Sequence, residues 1–289
     1  MFQWKNLFKG MAMGISDLVP GVSGGTIALI LGIYQSLITA INGLTTKQWK
    51  KHVMFLIPLV IGIGLALLTV SHIISWLLNE YPQPTLFFFI GLIIGIVPTL
   101  LKDINFIQSF TPIHYGVLLL GAIIVGATTL LKDSSPTTIM DQLAIGDYIL
   151  LFFAGWLAST AMILPGVSGS FIFLLLGVYP TVIQALSTFN LAVLFTVGIG
   201  IILGLGITSR LISYLFVQYK TATYALMIGF IAGSVFVIYP GMAGDFFLIS
   251  LSVIAFALGG GTAYMLHIYI RISKQGRMDR VKNKRGDEI

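Results

Sequence analysis

The chain has 289 residues, of which 57% are hydrophobic and 9% charged, and its lack of cysteine excludes disulfides and thiolate metal sites. Soluble globular domains carry about 25% charged residues, so the composition excludes a soluble protein and predicts an integral membrane protein. The net charge of +6 comes largely from the C-terminal tail, 273–289, which we predict to be cytoplasmic and to contact anionic lipid rather than nucleic acid.

A proline–glycine break interrupts the first apolar stretch at Pro20 to Gly24, and the same letters, PGVSG, recur at Pro165 to Gly169. The flanking residues also match, at an offset of 145 residues from Pro20 to Pro165. Non-helical backbone at membrane depth is tolerated only where it is buried in protein or lines a wet cavity. A break repeated in the two halves of an apolar chain indicates the binding site of a transporter with internal symmetry.

Each half predicts a broken pair of helices followed by three apolar segments, each near the ~20 residues that a span requires. The predicted segments are 52–80, 84–101, 113–131, 190–219, 221–240 and 246–270. Ser71 in the first set matches Ser209 in the second, at an offset of 138 residues. The sequence therefore predicts an all-α membrane protein with one domain over 1–289, a first repeat at 1–131 and a second repeat at 147–272.

Positive charges orient these elements. Lysines precede the first broken pair and follow it, at positions 5, 9, 47, 50 and 51, so the positive-inside rule predicts that both ends of the pair are cytoplasmic. The first arm, 6–19, has about 14 residues and reaches roughly 21 Å, which does not cross ~30 Å of hydrocarbon. The pair is thus predicted to be a re-entrant hairpin. Three spans follow, and because this number is odd, the second hairpin enters from the opposite face of the membrane. The tips of the two hairpins are then predicted to meet near the midplane, and both termini are predicted to be cytoplasmic.

The residues after each break predict an anion site, because a helix N-terminus offers amide donors and a partial positive charge that favour phosphate. The predicted binding residues are Ser23, Gly24, Gly25 and Thr26 in the first tip and Ser168, Gly169 and Ser170 in the second. Their hydroxyls can donate to an anion or cap the new helices. The alternative is a pair of capped hinges with tight glycine packing, but the inverted duplication favours a site.

Three ionisable residues lie within the apolar segments, namely Asp17, His72 and Arg210. Such residues are costly in a membrane and are usually functional or paired. Arg210 occupies the repeat position of His72, and we predict that both contact an anionic head group. Alternatively, Arg210 pairs with Asp17 or snorkels to the surface, and His72 bonds a serine on a neighbouring helix. Asp17 has no acidic counterpart at Met162, and we predict that it couples protons to transport or balances Arg210.

The segment GMAMGISDLVPGVSGGT, Gly10 to Thr26, together with the second PGVSG, resembles a bacterial membrane family long labelled a domain of unknown function. That family is now associated with polyprenyl-phosphate translocation and called PopT, and the resemblance covers essentially the whole chain. It implies a flippase that returns undecaprenyl phosphate, the lipid carrier of cell-wall precursors, from the outer to the cytoplasmic leaflet of the bacterial plasma membrane. The second motif departs from the first, with Ser170 and Phe171 in place of Gly25 and Thr26.

Other classes of protein fit less well. A secondary transporter or channel for a small inorganic or organic anion would use the same helix termini and is the main alternative. A membrane enzyme such as a lipid phosphatase would need an activated nucleophile or carboxylates that hold a metal. Only Asp17 and His72 are available in the membrane for that chemistry, so we predict no enzyme activity, no cofactor and no metal.

Overall fold

The computed structural model describes residues 4–19, 22–129, 140, 143–242, 244 and 246–286, without the side chains of 267 and 269–286. Pro20 and Gly21 of the first break and the side chains of the basic tail lie outside this part of the chain. The described ranges are helical without a strand, which confirms the predicted all-α class. The helices are α1 (Lys5–Asp17), α2 (Gly24–Ile30), α3 (Tyr34–Gly43), α4 (Trp49–Thr69), α5 (Ser71–Glu80), α6 (Pro82–Asp103), α7 (Phe106–Ser109), α8 (Pro112–Ala127), α9 (Ile145–Ile163), α10 (Gly169–Leu175), α11 (Tyr179–Thr188), α12 (Leu191–Gln218), α13 (Lys220–Ile238) and α14 (Phe246–Gly286).

Six described helices are long and apolar enough to cross a membrane: α4, α6, α9, α12, α13 and the Phe246–Leu266 part of α14. Two further pairs pass this test only together and are sharply bent, α2 with α3 by 119° and α10 with α11 by 112°. Five of the six predicted segments contain one of these long helices, whereas the segment predicted at 113–131 contains the shorter helix α8, and the sixth long helix, α9, lies at a predicted hairpin arm.

The predicted breaks lie where α1 ends at Asp17 before α2 begins at Gly24, and where α9 ends at Ile163 before α10 begins at Gly169. The two bends are additional to these breaks and were not predicted; they follow Gly32 and Gly177, whose φ values are +63° and +70°. The segment predicted at 52–80 is divided at Val70 into α4 and α5, whereas its repeat counterpart, α12, is continuous.

Glycines bring the first arm of each hairpin against the first span of its own repeat. A Cβ at Gly10 of α1 would collide with the Leu59 carbonyl oxygen of α4. A Cβ at Gly155 of α9 would collide with the Val197 carbonyl oxygen of α12, at repeat-equivalent positions. Small residues allow such close backbone approach between helices in a membrane, so α1 on α4 and α9 on α12 are the same packing unit built twice.

The next two spans exchange partners between the repeats. Gly91 places α6 against the Phe256 carbonyl of α14, and Gly229 places α13 against the Leu118 carbonyl of α8. Gly229 stands 138 positions after Gly91, and Phe256 stands 138 positions after Leu118. The glycine is therefore in the first repeat in one contact and in the second repeat in the other. This reciprocity is what a two-fold axis between the repeats requires. The inversion of the repeats across the membrane stays a prediction.

The two hairpins occupy different parts of the core. The first hairpin contributes Val19, Val22 and Ile30 to the main apolar cluster, where they pack with Ile93 of α6 and Ile231 of α13. The second arm of the second hairpin packs in a smaller cluster with α9 and α12 of its own repeat, formed mainly by Leu151, Val178, Val182, Val193 and Val197. The start of α2 is therefore enclosed by both repeats, whereas α10 stays with one.

Candidate functional site

The first tip holds a carboxylate at the start of its second helix. Asp17 ends α1, Gly24 begins α2, and the Gly24 amide donates to Asp17 Oδ1 at 2.7 Å. An anion at a helix N-terminus is stabilised by the unsatisfied amides and the helix dipole, so Asp17 occupies the position that the sequence predicts for phosphate. Its Oδ2 is buried and accepts no hydrogen bond from the residues that the structure describes. A buried oxygen without a donor is unfavourable, and a proton or a cationic ligand would stabilise it.

The hydroxyls of the first tip join it to the second. The Gly166 amide donates to Thr26 Oγ1 at 2.8 Å and to Ser23 Oγ at 3.2 Å, and Ser23 Oγ donates to the Leu164 carbonyl at 3.3 Å. Ser23 is 1% exposed and Thr26 is fully buried. The tips therefore meet, as the sequence predicts, through hydroxyl groups that were expected to face an anion. Ser23 also caps α2, because its Oγ accepts from the Thr26 amide.

Two glycines make this close approach of the tips possible. A Cβ at Gly25 would lie 2.7 Å from the Ile163 carbonyl oxygen at the end of α9. Gly166 is buried with a φ of +83°, a conformation that side chains disfavour, and a Cβ there would lie 2.6 Å from the Phe230 carbonyl oxygen. Because the opposing atoms belong to the backbone, neither position has room for a larger residue.

The second tip is the more open of the two. Ser168 precedes α10 without capping it, and its hydroxyl bonds that of Ser170 at 2.8 Å. Ser168 is buried, Ser170 is exposed, and α10 itself contains no buried residue. Gly169 faces the Ala158 carbonyl oxygen, which a Cβ would approach to 2.8 Å. Ser170 of this tip is thus exposed, whereas Ser23 and Thr26 of the first tip are buried.

Arg210 and His72 are not brought to the tips. Arg210 is exposed, and its Nη2 donates to Thr45 Oγ1 at 3.1 Å, just beyond the end of α3 that lies away from the tip. Within the described part of the chain Asp17 accepts no hydrogen bond from Arg210, so the predicted alternative of a pair between them is not formed here. His72 is exposed on α5, and no side-chain hydrogen bond joins it to another described residue.

Sequence reasoning missed Asn42, which lies on α3 close to Arg210. Asn42 Nδ2 donates to Ser213 Oγ at 2.6 Å and to the Ser209 carbonyl at 3.0 Å, and its Oδ1 accepts from Ser209 Oγ at 2.7 Å. An amide side chain in an apolar arm was the available signal, because such a group needs polar partners in a membrane. The two serines that satisfy it are on α12, in the other repeat.

Comparison with known proteins agrees with the predicted resemblance. The family model described as VCA0040-like, undecaprenyl phosphate translocase-like, matches residues 13–250. A "Polyprenyl-phosphate transporter" of Staphylococcus aureus (strain NCTC 8325 / PS 47) is 44% identical over 268 residues, which are 89% of this chain and 94% of that protein. A "Polyprenyl-phosphate transporter" of Vibrio cholerae serotype O1 (strain ATCC 39315 / El Tor Inaba N16961) is 38% identical over 247 residues, 80% of this chain and 76% of that protein. No solved structure matches the chain significantly.

Proposed function

Because the chain belongs to the undecaprenyl phosphate translocase-like family, we propose that it is a flippase that moves undecaprenyl phosphate from the outer to the cytoplasmic leaflet of a bacterial plasma membrane. Two relatives, at 44% and 38% identity, are named polyprenyl-phosphate transporters. The observation that carries the proposal is the meeting of two broken hairpins inside one bundle, where the Gly166 amide bonds the hydroxyls of Ser23 and Thr26. Such paired breaks form the substrate sites of symmetric transporters.

The phosphate binds first at the second tip in this proposal. Ser168 and Ser170 bond only each other among the described residues, so their hydroxyls can turn to an anion without breaking a contact between the tips. The seryl hydroxyls and the amides at the start of α10 would together hold the head group, while the prenyl chain stays in the lipid. The first tip receives the phosphate later, after the contact between the tips has opened.

Asp17 is the proposed coupling residue. Its carboxylate accepts from the Gly24 amide, which is also a donor that phosphate would need at the first tip. A negative carboxylate repels phosphate and competes for this donor, whereas a protonated Asp17 does neither. Each phosphate that reaches the first tip would therefore arrive with a proton on Asp17, so a proton gradient could drive transport.

Arg210 and His72 serve in this proposal as head-group contacts outside the tips, one in each repeat. They occupy equivalent positions on α12 and α5 and are both exposed. Arginine binds phosphate oxygens bidentately, which suits Arg210 to receive the phosphate on the side of the predicted cytoplasmic loop at Thr45 to Lys51. The proposed cycle requires no covalent step, cofactor or metal, and both termini are cytoplasmic in it.

Reconstitution in liposomes tests the proposal. The movement of a polyprenyl phosphate between leaflets is followed with and without a pH gradient, for the unchanged protein and for Gly169→Val. The variant should lose at least tenfold in transport, because a side chain there meets the Ala158 carbonyl oxygen and crowds the amides of the second tip. Gly198→Val is the matched control, since a Cβ at Gly198 meets no atom within 4 Å. Uptake of inorganic phosphate without movement of the lipid would instead favour the small-anion transporter.

A further inference from the structure

A cluster of polar residues joins the first hairpin to the second repeat. Asn42 of α3 exchanges hydrogen bonds with the backbone and hydroxyl of Ser209 and donates to Ser213, both on α12. One residue along α12, Arg210 donates to Thr45 in the loop that follows α3. We name these five residues the closed clasp. It lies beside the basic loop at Thr45 to Lys51, which the positive charges predict to be cytoplasmic.

Each member of the closed clasp has a polar counterpart at the repeat-equivalent position. The counterparts, which we name the open clasp, are Ser187 for Asn42, Asn190 for Thr45, Ser71 for Ser209, His72 for Arg210 and Ser75 for Ser213. The same types of donor and acceptor are thus present at the end of α11 and on α5, where the predicted topology places the outer face of the membrane.

The open clasp is not assembled in this structure. The Ser187 hydroxyl donates to the Gln184 carbonyl of its own helix, and Asn190 caps α12. His72 and Ser75 are exposed, and no side-chain hydrogen bond links either of them to another described residue. The hairpins differ in the same way. Among the described residues α3 packs against α12 of the other repeat as well as α4 of its own, whereas α11 packs against α12 of its own repeat without a comparable contact to α4 or α5.

We propose that the two clasps are the alternating gates of the transport path. In this state the closed clasp seals the cytoplasmic side, and the separation of α11 from α5 opens the outer side to the phosphate head group of the lipid. In the opposite state Ser187 bonds Ser71 and Ser75, and Asn42 releases α12. The inference rests on the proposed function and on the predicted orientation.

Internal symmetry gives this proposal its physical basis. Two repeats with nearly the same contacts have two nearly equivalent arrangements, in which the roles of the repeats are exchanged. Hydrogen bonds between membrane helices are individually modest in strength, so a clasp of a few bonds can break within a transport cycle. The bonds formed in one clasp offset those lost in the other, which keeps the two states close in free energy.

Cysteine pairs test the proposal, because the chain contains no cysteine of its own. Asn42→Cys with Ser213→Cys reports the closed clasp, and Ser75→Cys with Ser187→Cys reports the open one. The pairs are treated in proteoliposomes with a short bis-methanethiosulfonate reagent. The first pair should crosslink readily, and the crosslink should stop movement of polyprenyl phosphate until it is reduced. Substituting Asn42→Ala in the second pair should speed its crosslinking by about fivefold or more, since weakening one gate favours the opposite state.

A protein that carries all four cysteines gives the decisive result. Either crosslink should prevent the other within one molecule, and both crosslinks in the same molecule would overturn the proposal. Transport that continues with the first pair crosslinked would also overturn it. The control pair is Gln83→Cys with Ser252→Cys, whose native side chains are bonded at 3.0 Å between α6 and α14. Its crosslink should leave transport and both clasps unchanged, and its formation in each variant shows that this part of the bundle has folded.

The same experiments separate the gates from the proposed function. Mutually exclusive crosslinks without any movement of polyprenyl phosphate would support alternating gates and refute the substrate. Movement of polyprenyl phosphate through a protein with both crosslinks formed would support the substrate and refute the gates.

Discussion

Every residue of α2 except Leu29 is buried, whereas α10, the same helix in the second repeat, has no buried residue. Both helices begin at the last glycine of a PGVSG motif, directly after its serine. The motif therefore determines where the backbone breaks and where the next helix starts. Whether the resulting helix terminus is accessible depends on the other elements that surround it, because α2 is enclosed by α6, α9 and α14 and α10 packs mainly on α9 and α11.

Two positions after the shared motif account for much of this difference. The first tip has Gly25, which lets the end of α9 approach, and Thr26, whose hydroxyl accepts from the Gly166 amide. The second tip has Ser170 and Phe171 at these positions. Ser170 carries a side chain where the first tip has a glycine, and Phe171 has no hydroxyl to match that of Thr26. The first tip thus makes its contacts within the protein, and the second is the tip that we propose contacts the ligand first.

Exchanging residues between the tips should give the largest effect. Gly25→Ser forces a Cβ to within 2.7 Å of the Ile163 carbonyl oxygen, and overpacking of this kind destabilises a protein by about 3 kcal/mol. The reciprocal change, Ser170→Gly, acts at an exposed position and should destabilise by less than about 1 kcal/mol. Thermal unfolding in detergent measures both. Equal losses of stability would show that the two tips are equivalent after all.

Removing the hydroxyls of each tip should separate stability from binding. Ser23→Ala with Thr26→Val leaves the buried Gly166 amide without either acceptor, which should destabilise the protein by about 2 kcal/mol. Ser168→Ala with Ser170→Ala removes one hydrogen bond between two side chains, so stability should fall by about 1 kcal/mol or less. The second variant should instead weaken binding of polyprenyl phosphate by about tenfold, since hydrogen bonds to a charged group are the stronger ones. Binding that falls only in the first variant would contradict the assignment.

Asp17→Asn should change coupling more than stability. The amide oxygen of asparagine can still accept from Gly24, so the free energy of unfolding should change by about 1 kcal/mol or less. Transport in liposomes should no longer respond to a pH gradient, because the residue can no longer take up a proton. Met162 is the repeat counterpart of Asp17, and Met162→Leu is the matched control that should keep the response. A full response in Asp17→Asn would remove Asp17 from the coupling mechanism.

The smallest effect on stability is expected at Arg210, which makes one exposed hydrogen bond. Arg210→Ala should destabilise by about 0.5–1 kcal/mol, and His72→Ala, at the unbonded equivalent position, should have no measurable effect. Asp17→Asn and Arg210→Gln should add independently, because the two residues are not paired. A double variant that recovers transport lost in the single ones would restore the ion pair as an explanation.

The sequence predicts much of this fold because the relevant signals are local. Apolar length identifies most of the spans, and the PGVSG motifs identify the breaks between α1 and α2 and between α9 and α10. The bends between α2 and α3 and between α10 and α11 were not predicted. The site is only partly predictable, since the identical PGVSG motifs give no sign that one tip is enclosed and the other open. The contact of Gly166 with Thr26 joins residues 140 positions apart, and the contact of Arg210 with Thr45 joins residues 165 positions apart. Such long-range contacts depend on how the helices pack, which local sequence patterns do not reveal.

The exchange of partners between α6 and α14 and between α8 and α13 has a consequence for synthesis. Helices leave the ribosome in chain order, so α6 is inserted long before α14, whose glycine contacts it needs. Until then α6 lacks the helix that covers Gly91, and α8 lacks its partner until α13 is made. We therefore expect that neither repeat folds alone, although each has its own hairpin and spans. A chain cut between the repeats should yield two fragments that become stable only by finding each other in the membrane.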